Sequence, residues 1–436
     1  MFIDSAWHHL QPEQRAYVEL MLSDALGIAS AGSKAPGIRE MMAGLADLGG
    51  GDIRPAWTDL RVNVPTAAAV LSVLIHAWDF DDTHDEAVVH TASVVVPAAF
   101  AVAQHSQQAT GADVLNGIAV GIQFLSRLSR LMGPKSGVIR TAGLGSLAAA
   151  ATAGTVLRLP LHQLESGIAL ALTSACSPTT RQAVVDGSLA KRLQPALAVQ
   201  TGVTAAMLAA HGVKGPTGWL DGDYGILPDS GLQLADLFTG DFEGNVLALK
   251  PYPACRYTHA ALAAAEIVLP RDANPDDIAE ITVHVPAGEA YVLVSRPYED
   301  RGSPIIDAQF SIAWQIAAIA VTGSYNLGSL NAPEPVWAEI REFARRVNVL
   351  QDLPPTTIMA DAVVEVRTRR GESRVHRADM PGAASNPLDW EQVAAKVDAC
   401  LTVSGRSGTT SGQIRDFVLT LDSVGPGELN SRLEAF

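Results

Sequence analysis

The feature that most constrains the fold is a long run of apolar helix between Thr66 and about His211. Stretches such as AGLGSLAAAATAGTVLRL (142–159) and PALAVQTGVTAAMLAA (195–210) are apolar around most of the helix. A helix without a polar face has to be covered by other helices, so both should lie inside a bundle. Because 48% of the residues are hydrophobic and only 6% are aromatic, this bundle should pack closely through small side chains. The first part of the chain is therefore predicted to be a large all-α domain.

Before this run, residues 12–48 predict two or more short helices, because apolar residues recur at helical spacing. The glycine-rich GGGDIRP (49–55) predicts a loop.

The pattern changes after Lys250–His259. IAEITVHV (278–285) alternates β-branched residues, and 362–378 predicts two strands around a turn near Arg370–Gly371. Helical patterns follow these strands or lie between them, at 307–323, 335–349 and 387–401. We therefore expect a smaller α+β domain over 261–404. The helical pattern near the C-terminus predicts that 405–436 rejoins the all-α domain of 1–260, which gives a mainly α protein.

Charge and cysteine usage exclude several classes. A formal charge of −15 argues against nucleic-acid and anionic membrane surfaces as partners. We find no signal-peptide pattern and no apolar run of about twenty residues, so a cytoplasmic protein without a membrane partner is expected. The three cysteines, Cys176, Cys255 and Cys400, are too widely spaced for a CxxC pair. This spacing argues against a zinc ribbon and an iron–sulfur cluster, which is consistent with the expectation of no metal and no other cofactor.

The stretch His76–Pro97, HAWDFDDTHDEAVVHTASVVVP, concentrates acids and histidines where an apolar helix ends. Charge at such a place needs a partner or a function. Its principal members are Asp79, Asp81, Asp82, His76, His84 and His90. One interpretation is structural, with Asp81 and Asp82 capping a helix end and His76 packing beneath the site.

Two chemical interpretations use the same stretch differently. Residues 81–85 match DDxxD, a magnesium–diphosphate motif, with carboxylates on one helix face. That chemistry also needs a second acidic motif, and we find no convincing one. Alternatively, Asp79 and Thr83 lie one helical turn apart, and His90 follows after a loop. This arrangement predicts one polar pocket that contains a carboxylate, a hydroxyl and an imidazole.

In this second arrangement, HAWDFDDTHDEAVVHTASVVVPAAFAVAQ resembles the signature of the MmgE/PrpD family. That family includes 2-methylcitrate dehydratase, cis-aconitate decarboxylase and iminodisuccinate epimerase. The stretches DGSLAKRLQPALAVQTG, LKPYPACRYTHAALAAA and DAQFSIAWQIA are similar to later family segments, in the same order. The resemblance implies an all-α domain carrying an α+β lid, an active site in the cleft between them, and a homodimer.

The resemblance also implies a set of pocket residues. They are Asp79, Thr83, His90, Lys191 and Lys250, with Tyr291 in VPAGEAYVLVSRP. The sequence departs from the family pattern at Ile139, which stands in place of a histidine and precedes Arg140. It departs again at Gln194, which replaces the histidine of a KRLHP-like motif. Cys255 stands where the decarboxylase branch carries histidine. These departures leave room for a different substrate or reaction.

Family reactions handle a proton or a carboxylate at a carbon next to carboxylates. Removing such a proton creates an enolate-like dianion, which needs cations aimed at it. The residues predicted to bind a di- or tricarboxylate are Lys191, Lys250, Arg192, Arg256 and Arg140, with Thr83 and Cys255 beside them.

For proton transfer we expect His90 and Tyr291 as the acid–base pair, with Asp79 orienting His90. The sequence thus predicts a cofactor-independent lyase that resembles 2-methylcitrate dehydratase. A cis-aconitate-type decarboxylase, a dicarboxylate epimerase and a non-catalytic polycarboxylate binder remain alternatives.

Overall fold

The computed structural model describes residues 2–133, 138–174, 181–269, 274–406 and 408–436. These residues are 57% helical and 9% strand, which confirms the prediction of a mainly α fold with a small mixed sheet. Up to residue 248 the elements are α1 Phe2–His9, α2 Pro12–Gly32, α3 Ile38–Ala46, β1 Gly50–Ile53, α4 Val64–His76, β2 Thr83–His84, α5 Ala92–His105, α6 Gly111–Met132, α7 Arg140–Val156, α8 Leu161–Ala171, α9 Gln182–Val185, α10 Ala190–Ala210 and β3 Leu247–Ala248.

The later elements are α11 His259–Val268, β4 Ile278–Pro286, α12 Glu289–Val294, α13 Pro304–Gln309, α14 Ile312–Thr322, α15 Leu327–Leu330, α16 Glu334–Ala344, β5 Val347–Leu353, β6 Ala362–Thr368, β7 Ser373–Ala378, α17 Trp390–Ser404, α18 Ser411–Thr420 and α19 Pro426–Leu433. Single 3₁₀ turns lie at Leu172–Ser174, Leu234–Phe238, Glu243–Val246, Arg256–Thr258, Pro275–Asp277 and Leu421–Ser423.

The chain forms two compact units. The first comprises 1–182, 190–249 and 389–436, and the second comprises 183–189 and 250–388. The predicted boundaries at 260 and 404 differ from these, because 250–260 belongs to the second unit and 389–404 to the first. In the first unit α17 packs against α2 closely enough that a Cβ on Gly27 would lie 2.4 Å from Val397 Cγ2.

Small residues allow the close helix packing of the first unit. Thr141 to Val156 of α7 are all buried, as the uniformly apolar stretch predicted. At the crossing of α7 with α10, a Cβ on Gly202 would lie 2.3 Å from the Ser146 carbonyl oxygen. The stretch 195–210 was also predicted to lie inside the bundle, but one face of α10 is not covered, because Leu197 and Leu208 are exposed.

α10 is also the one described helix that is long and apolar enough to cross a membrane by length and composition. Half of its most apolar window is buried inside the molecule (50%). Core helices pass the same test, so this is weak support for a membrane span.

Two predictions near the N-terminus need correction. Residues 12–48 contain two helices, α2 and α3, as predicted, but α2 has 21 residues and is not short. It begins at Pro12, where the Gln11 and Gln14 side chains form a capping box. The predicted loop at 49–55 contains β1, which forms antiparallel bridges from Gly50 and Ile53 to Val62.

The second unit contains a four-stranded sheet in the order β5-β4-β6-β7. β4 pairs parallel with β5 and antiparallel with β6, which pairs antiparallel with β7. The predicted strand at 278–285 and the hairpin at 362–378 are confirmed, and Gly371 provides the positive φ of +85° in the hairpin turn. The predicted helix at 335–349 is wrong at its end, since α16 stops at Ala344 and β5 begins at Val347.

Candidate active site

The segment that follows α4 is not helical. α4 ends at His76, and Asp79 adopts a left-handed backbone with φ +52°. Aspartate tolerates this conformation better than most side chains. Thr83 and His84 form β2, which pairs antiparallel with β3. The prediction that Asp79 and Thr83, or the DDxxD acids, share a helix face is therefore wrong, because the next helix, α5, begins only at Ala92.

The turn after α4 brings polar side chains together inside the first unit. We call the group of His76, Asp79, Asp81, His90 and Lys191 the buried cluster. The Lys191 ammonium lies 2.8 Å from Asp79 Oδ1 and 2.8 Å from His76 Nε2. His76 Nδ1 lies 2.8 Å from Asp81 Oδ2. The His90 ring lies edge-on to the His76 ring, at 4.8 Å between centroids.

His90 contacts both carboxylates of the cluster. Its Nδ1 lies 3.3 Å from Asp81 Oδ2, and its Nε2 lies 3.9 Å from Asp79 Oδ1. Asp79, expected to orient His90, is thus the more distant of the two. The His90 backbone N–H donates to Thr141 Oγ1 at 2.9 Å, which fixes this residue against the first turn of α7.

The hydrogen bonds assign the protonation state of His76. Lys191 donates to Nε2, so the ring proton lies on Nδ1 and is donated to Asp81. Burial lowers the pKa of His76 to about 3, and the Lys191 charge acts in the same direction against the opposing effect of Asp81. Burial would raise the pKa of Asp81, but charge and hydrogen bonding from His76 and His90 hold this pKa well below its usual value. At neutral pH, His76 is therefore neutral and Asp81 is ionised.

Exposure separates His90 from the rest of the cluster. The His90 side chain is 17% exposed, whereas that of Lys191 is 6% exposed and that of His76 is 2% exposed. Asp79 and Asp81 are almost completely enclosed, at 1% and 0%. His90 is thus the member of the cluster that a small molecule can reach most readily.

Asp81 and Asp82 have different roles, although the sequence interpretation treated both as structural. The Asp82 carboxylate accepts hydrogen bonds from the backbone N–H of Thr91 and of Ala92, at 3.2 and 2.7 Å, and from Thr91 Oγ1 at 2.5 Å. It therefore caps the start of α5, as expected. Burial, together with the charge of Asp81, raises the pKa of Asp82 to about 7. Asp81 instead contacts both imidazoles of the buried cluster.

A second polar group, missed in the sequence, holds β2 in place. His84 Nε2 donates to Glu243 Oε2 at 3.0 Å, because its Nδ1 accepts the Ala87 N–H. Arg130 Nη1 donates to Glu243 Oε1 at 2.9 Å. Glu243 is 159 positions from His84 and belongs to no motif of its own, so only the structure reveals this contact.

Of the other predicted residues of the first unit, Arg192 lies next to the buried cluster, whereas Thr83 and Arg140 contact other groups. The Arg192 guanidinium is buried and lies 3.4 Å from the His76 carbonyl oxygen. Thr83 lies in β2 and donates to Asp85 Oδ1 at 2.9 Å. Arg140 begins α7, with Nη1 3.5 Å from the Ser129 carbonyl oxygen. Ile139 is the N-cap residue of α7.

The remaining predicted site residues belong to the second unit. Lys250 is fully buried. The Tyr291 hydroxyl accepts the Ala360 N–H at 3.0 Å. The Arg256 guanidinium donates to the Pro381 carbonyl oxygen at 2.5 Å. Cys255 donates its backbone N–H to the Gln309 carbonyl oxygen at 2.9 Å, and Cys400 is buried in the first unit. Cys176 lies outside the described residues.

Part of the buried cluster also has the spacing of a metal site. Single donor atoms of His76, Asp79, Asp81 and His90 all lie within 4.8 Å of one another. However, the Lys191 ammonium lies 2.8 Å from two of these residues. A cation is thus already provided by the chain, and a metal ion would have to displace it.

Comparison with known proteins identifies the family of the chain. The chain matches the MmgE/PrpD N-terminal domain over residues 3–229 and the MmgE/PrpD C-terminal domain over residues 252–418. It therefore belongs to the MmgE/PrpD family, as its sequence motifs indicated.

Similar proteins include cis-aconitate decarboxylases from a fungus and from mammals. The protein of Aspergillus terreus (strain NIH 2624 / FGSC A1156) is 25% identical over 398 residues, which cover 83% of this chain and 79% of the relative. That of Mus musculus is 26% identical over 364 residues, covering 78% and 72%. That of Homo sapiens is 25% identical over 367 residues, covering 78% and 73%.

Proposed function

We propose that this protein is a lyase that acts on a di- or tricarboxylate, and that it eliminates water from a hydroxy-polycarboxylate of the 2-methylcitrate kind. The observation that carries the proposal is the position of His90. It is the most accessible member of a cluster that also contains an ionised aspartate and a buried lysine.

His90 is suited to carry the proton of such a reaction. The Asp81 carboxylate, 3.3 Å from His90 Nδ1, favours a proton on that nitrogen, which leaves Nε2 as the basic nitrogen. When Nε2 takes a proton from carbon, the new imidazolium lies between two carboxylates, since Asp79 is 3.9 Å from Nε2. Those charges stabilise the protonated form and hold the proton for transfer to a leaving hydroxide.

The charge of the buried cluster supports the same role. Two carboxylates and one ammonium leave a net negative charge when both imidazoles are neutral, and protonation of His90 cancels it. The cluster is therefore built to accept a proton rather than to bind a dianion by itself. The family resemblance assigns substrate carboxylates to Arg192, Arg140, Lys250 and Arg256, and it makes Tyr291 the second acid–base group.

A second candidate is decarboxylation of the cis-aconitate kind, which the similar decarboxylases favour. There a carboxylate leaves as carbon dioxide and one proton must reach a carbon atom, which a protonated His90 could supply. Cys255 favours dehydration instead, because the decarboxylase branch of the family carries a histidine at that position. As the family resemblance implies, the proposal includes a homodimer without a cofactor.

Proton NMR in deuterated buffer tests both candidates. The purified protein is incubated with 2-methylcitrate, citrate, cis-aconitate or a racemic amino-dicarboxylate, with and without EDTA. A new alkene signal from either hydroxy acid supports dehydration, and loss of a carboxylate from cis-aconitate supports the second candidate. Deuterium exchange without net change would instead identify an epimerase, and no change with any compound would contradict both proposals.

The matched variants His90→Ala and His284→Ala connect the activity to the cluster. His284 pairs with Asp352 in the sheet of the second unit and is 26% exposed, so its loss tests the general effect of removing an accessible histidine. Turnover should fall only in the His90 variant. Equal activity in the two variants would remove His90 from the mechanism.

A further inference from the structure

A second buried lysine lies below the turn that carries Asp79 and Asp81. Lys396, on α17, is 8% exposed, and its ammonium lies 2.8 Å from Oδ1 of the buried Asp24 on α2. The same Nζ donates to the Phe80 carbonyl oxygen at 2.9 Å and lies 3.9 Å from the centre of the Phe80 ring. Lys396 and Asp24 lie outside the motifs that identify the site, whereas Phe80 lies within the first of them.

Phe80 is the residue between the two carboxylates of the buried cluster. Its peptide oxygen faces away from water, so the bond from Lys396 satisfies a group that would otherwise be buried without a donor. The neighbouring Asp79 is held in a left-handed conformation, which persists only where the surroundings fix the backbone. A fixed Phe80 carbonyl restricts rotation of the peptide that follows it, and hence the direction of the Asp81 side chain.

We propose that Lys396 is a positioning residue for the reaction, which holds the Phe80 carbonyl and thereby sets Asp79 and Asp81 against Lys191 and His90. Asp24 neutralises Lys396, but an ionised carboxylate has no proton to donate to the Phe80 carbonyl oxygen, whereas Lys396 donates one. The inference rests on the proposed function for its kinetic consequences, while its structural consequence can be measured without a substrate.

The variants Lys396→Met and Asp24→Asn separate positioning from simple pairing. Both break the ion pair, but only Lys396→Met removes the donor to Phe80. In Lys396→Met we expect kcat to fall by about 10 to 100-fold, with KM changed by less than about threefold, because a small misplacement of catalytic groups lowers the rate of the chemical step. In Asp24→Asn, kcat should stay within about threefold of the wild-type value.

Hydrogen–deuterium exchange of peptides that cover 77–90 provides the measurement that needs no turnover. Exchange in this segment should become at least about tenfold faster in Lys396→Met and should stay near the wild-type rate in Asp24→Asn. If wild-type protein converts none of the compounds tested, the proposed function fails, but exchange still tests the role of Lys396.

Two further variants keep the inference open to refutation. If Lys396→Met does not fold, the double variant Asp24→Asn/Lys396→Met removes both buried charges and should show the same low kcat and fast exchange. Phe80→Leu keeps the carbonyl and removes the ring, so its kcat should stay near wild type. Equal behaviour of Lys396→Met and Asp24→Asn, wild-type kcat in the double variant, or a fall in Phe80→Leu as large as in Lys396→Met would each overturn the proposal.

Discussion

Among the described residues of the first unit, two buried lysines make the same ion pair in different surroundings. Lys191 and Lys396 each lie 2.8 Å from an oxygen of a buried aspartate. Lys191 also donates to an imidazole, next to the accessible His90, whereas Lys396 also donates to a backbone carbonyl. A buried lysine–aspartate pair therefore does not by itself indicate an active site. In our proposals, the third partner of the lysine distinguishes the pair at the proton-transfer site from the pair that holds the backbone.

The largest expected effect is the loss of activity in Lys191→Met. This change removes the cation between Asp79 and His76, so the cluster loses the charge pattern that we propose for proton transfer. We expect kcat/KM to fall by about 10³-fold, a size typical of removing a preorganised charge from an active site. The assay is alkene formation followed by NMR, with circular dichroism to verify the fold. Activity within about tenfold of wild type would make the two lysines equivalent.

Next in size is His90→Asn, which keeps a polar side chain but removes the titratable ring. We expect turnover to fall by about 10²-fold or more, the usual contribution of a general acid–base group. Stability should change little, because this side chain is partly exposed. His284→Asn serves as the control, and a similar loss of turnover in that variant would indicate a general effect.

Lys396→Met should lose more stability than Lys191→Met, although Lys191→Met should lose more activity. Removing one partner of a buried ion pair typically costs about 3–5 kcal/mol, which we expect for Lys396→Met. Lys191→Met should cost less, because a protonated His90, 3.9 Å from Asp79, can replace the lost positive charge. Urea unfolding at pH 6 measures both free energies. A greater loss in Lys191→Met would contradict this compensation.

Two buried groups near Lys191, His76 and Asp82, should change the stability of the protein with pH in opposite directions. The pKa of His76 is lowered to about 3, so its contribution to stability is lost as the pH falls below about 6.5. The pKa of Asp82 is raised to about 7, so its contribution is lost as the pH rises from about 4 to about 7.

The two variants His76→Gln and Asp82→Asn separate these contributions. Between pH 6.5 and 5, His76→Gln should gain about 2 kcal/mol and Asp82→Asn should lose about 2 kcal/mol, since each pKa unit corresponds to about 1.4 kcal/mol. Unfolding in urea at both pH values gives the slopes. Parallel slopes would show that these groups do not control the pH dependence.

The smallest expected effect is that of a chelator. Because the Lys191 ammonium lies 2.8 Å from two of the four donor residues, EDTA should leave wild-type turnover unchanged. EDTA should also be added to Lys191→Ala, because this variant leaves the donor residues without the lysine ammonium and could bind a metal ion there. A loss of activity in EDTA that zinc or magnesium restores would show that a metal displaces the lysine in the working protein.

The sequence predicted that Asp79, His90 and Lys191 lie together, as they do in the buried cluster, but it did not predict their arrangement. Apolar helices, the strand at 278–285 and the hairpin at 362–378 follow from local periodicity, and the motif order placed His90 and Lys191 in one family pocket. The helical spacing assumed for Asp79 and Thr83 failed because the helix ends at His76, before either residue. β5 was missed because its residues continue the pattern of α16.

The contacts that could not be predicted join distant parts of the chain. Lys396 and Asp24 are separated by 372 positions. The stretch around Lys396 has the periodicity of an ordinary amphipathic surface helix, so its sequence does not mark the lysine. In the sequence, Asp81 and Asp82 both looked like capping residues, because both follow the end of an apolar helix. Only Asp82 is one. Which carboxylate turns inward depends on the backbone direction after α4, and no local pattern specifies that direction.

The left-handed backbone of Asp79 limits which amino acids this position can accept. Its φ of +52° favours glycine, asparagine and aspartate, and the contact with Lys191 requires a negative charge. Aspartate alone meets both conditions, and a glutamate of the same charge would strain the turn. Alanine scanning would therefore mix two effects at this position, while Asp79→Asn changes the charge and keeps the shape of the chain.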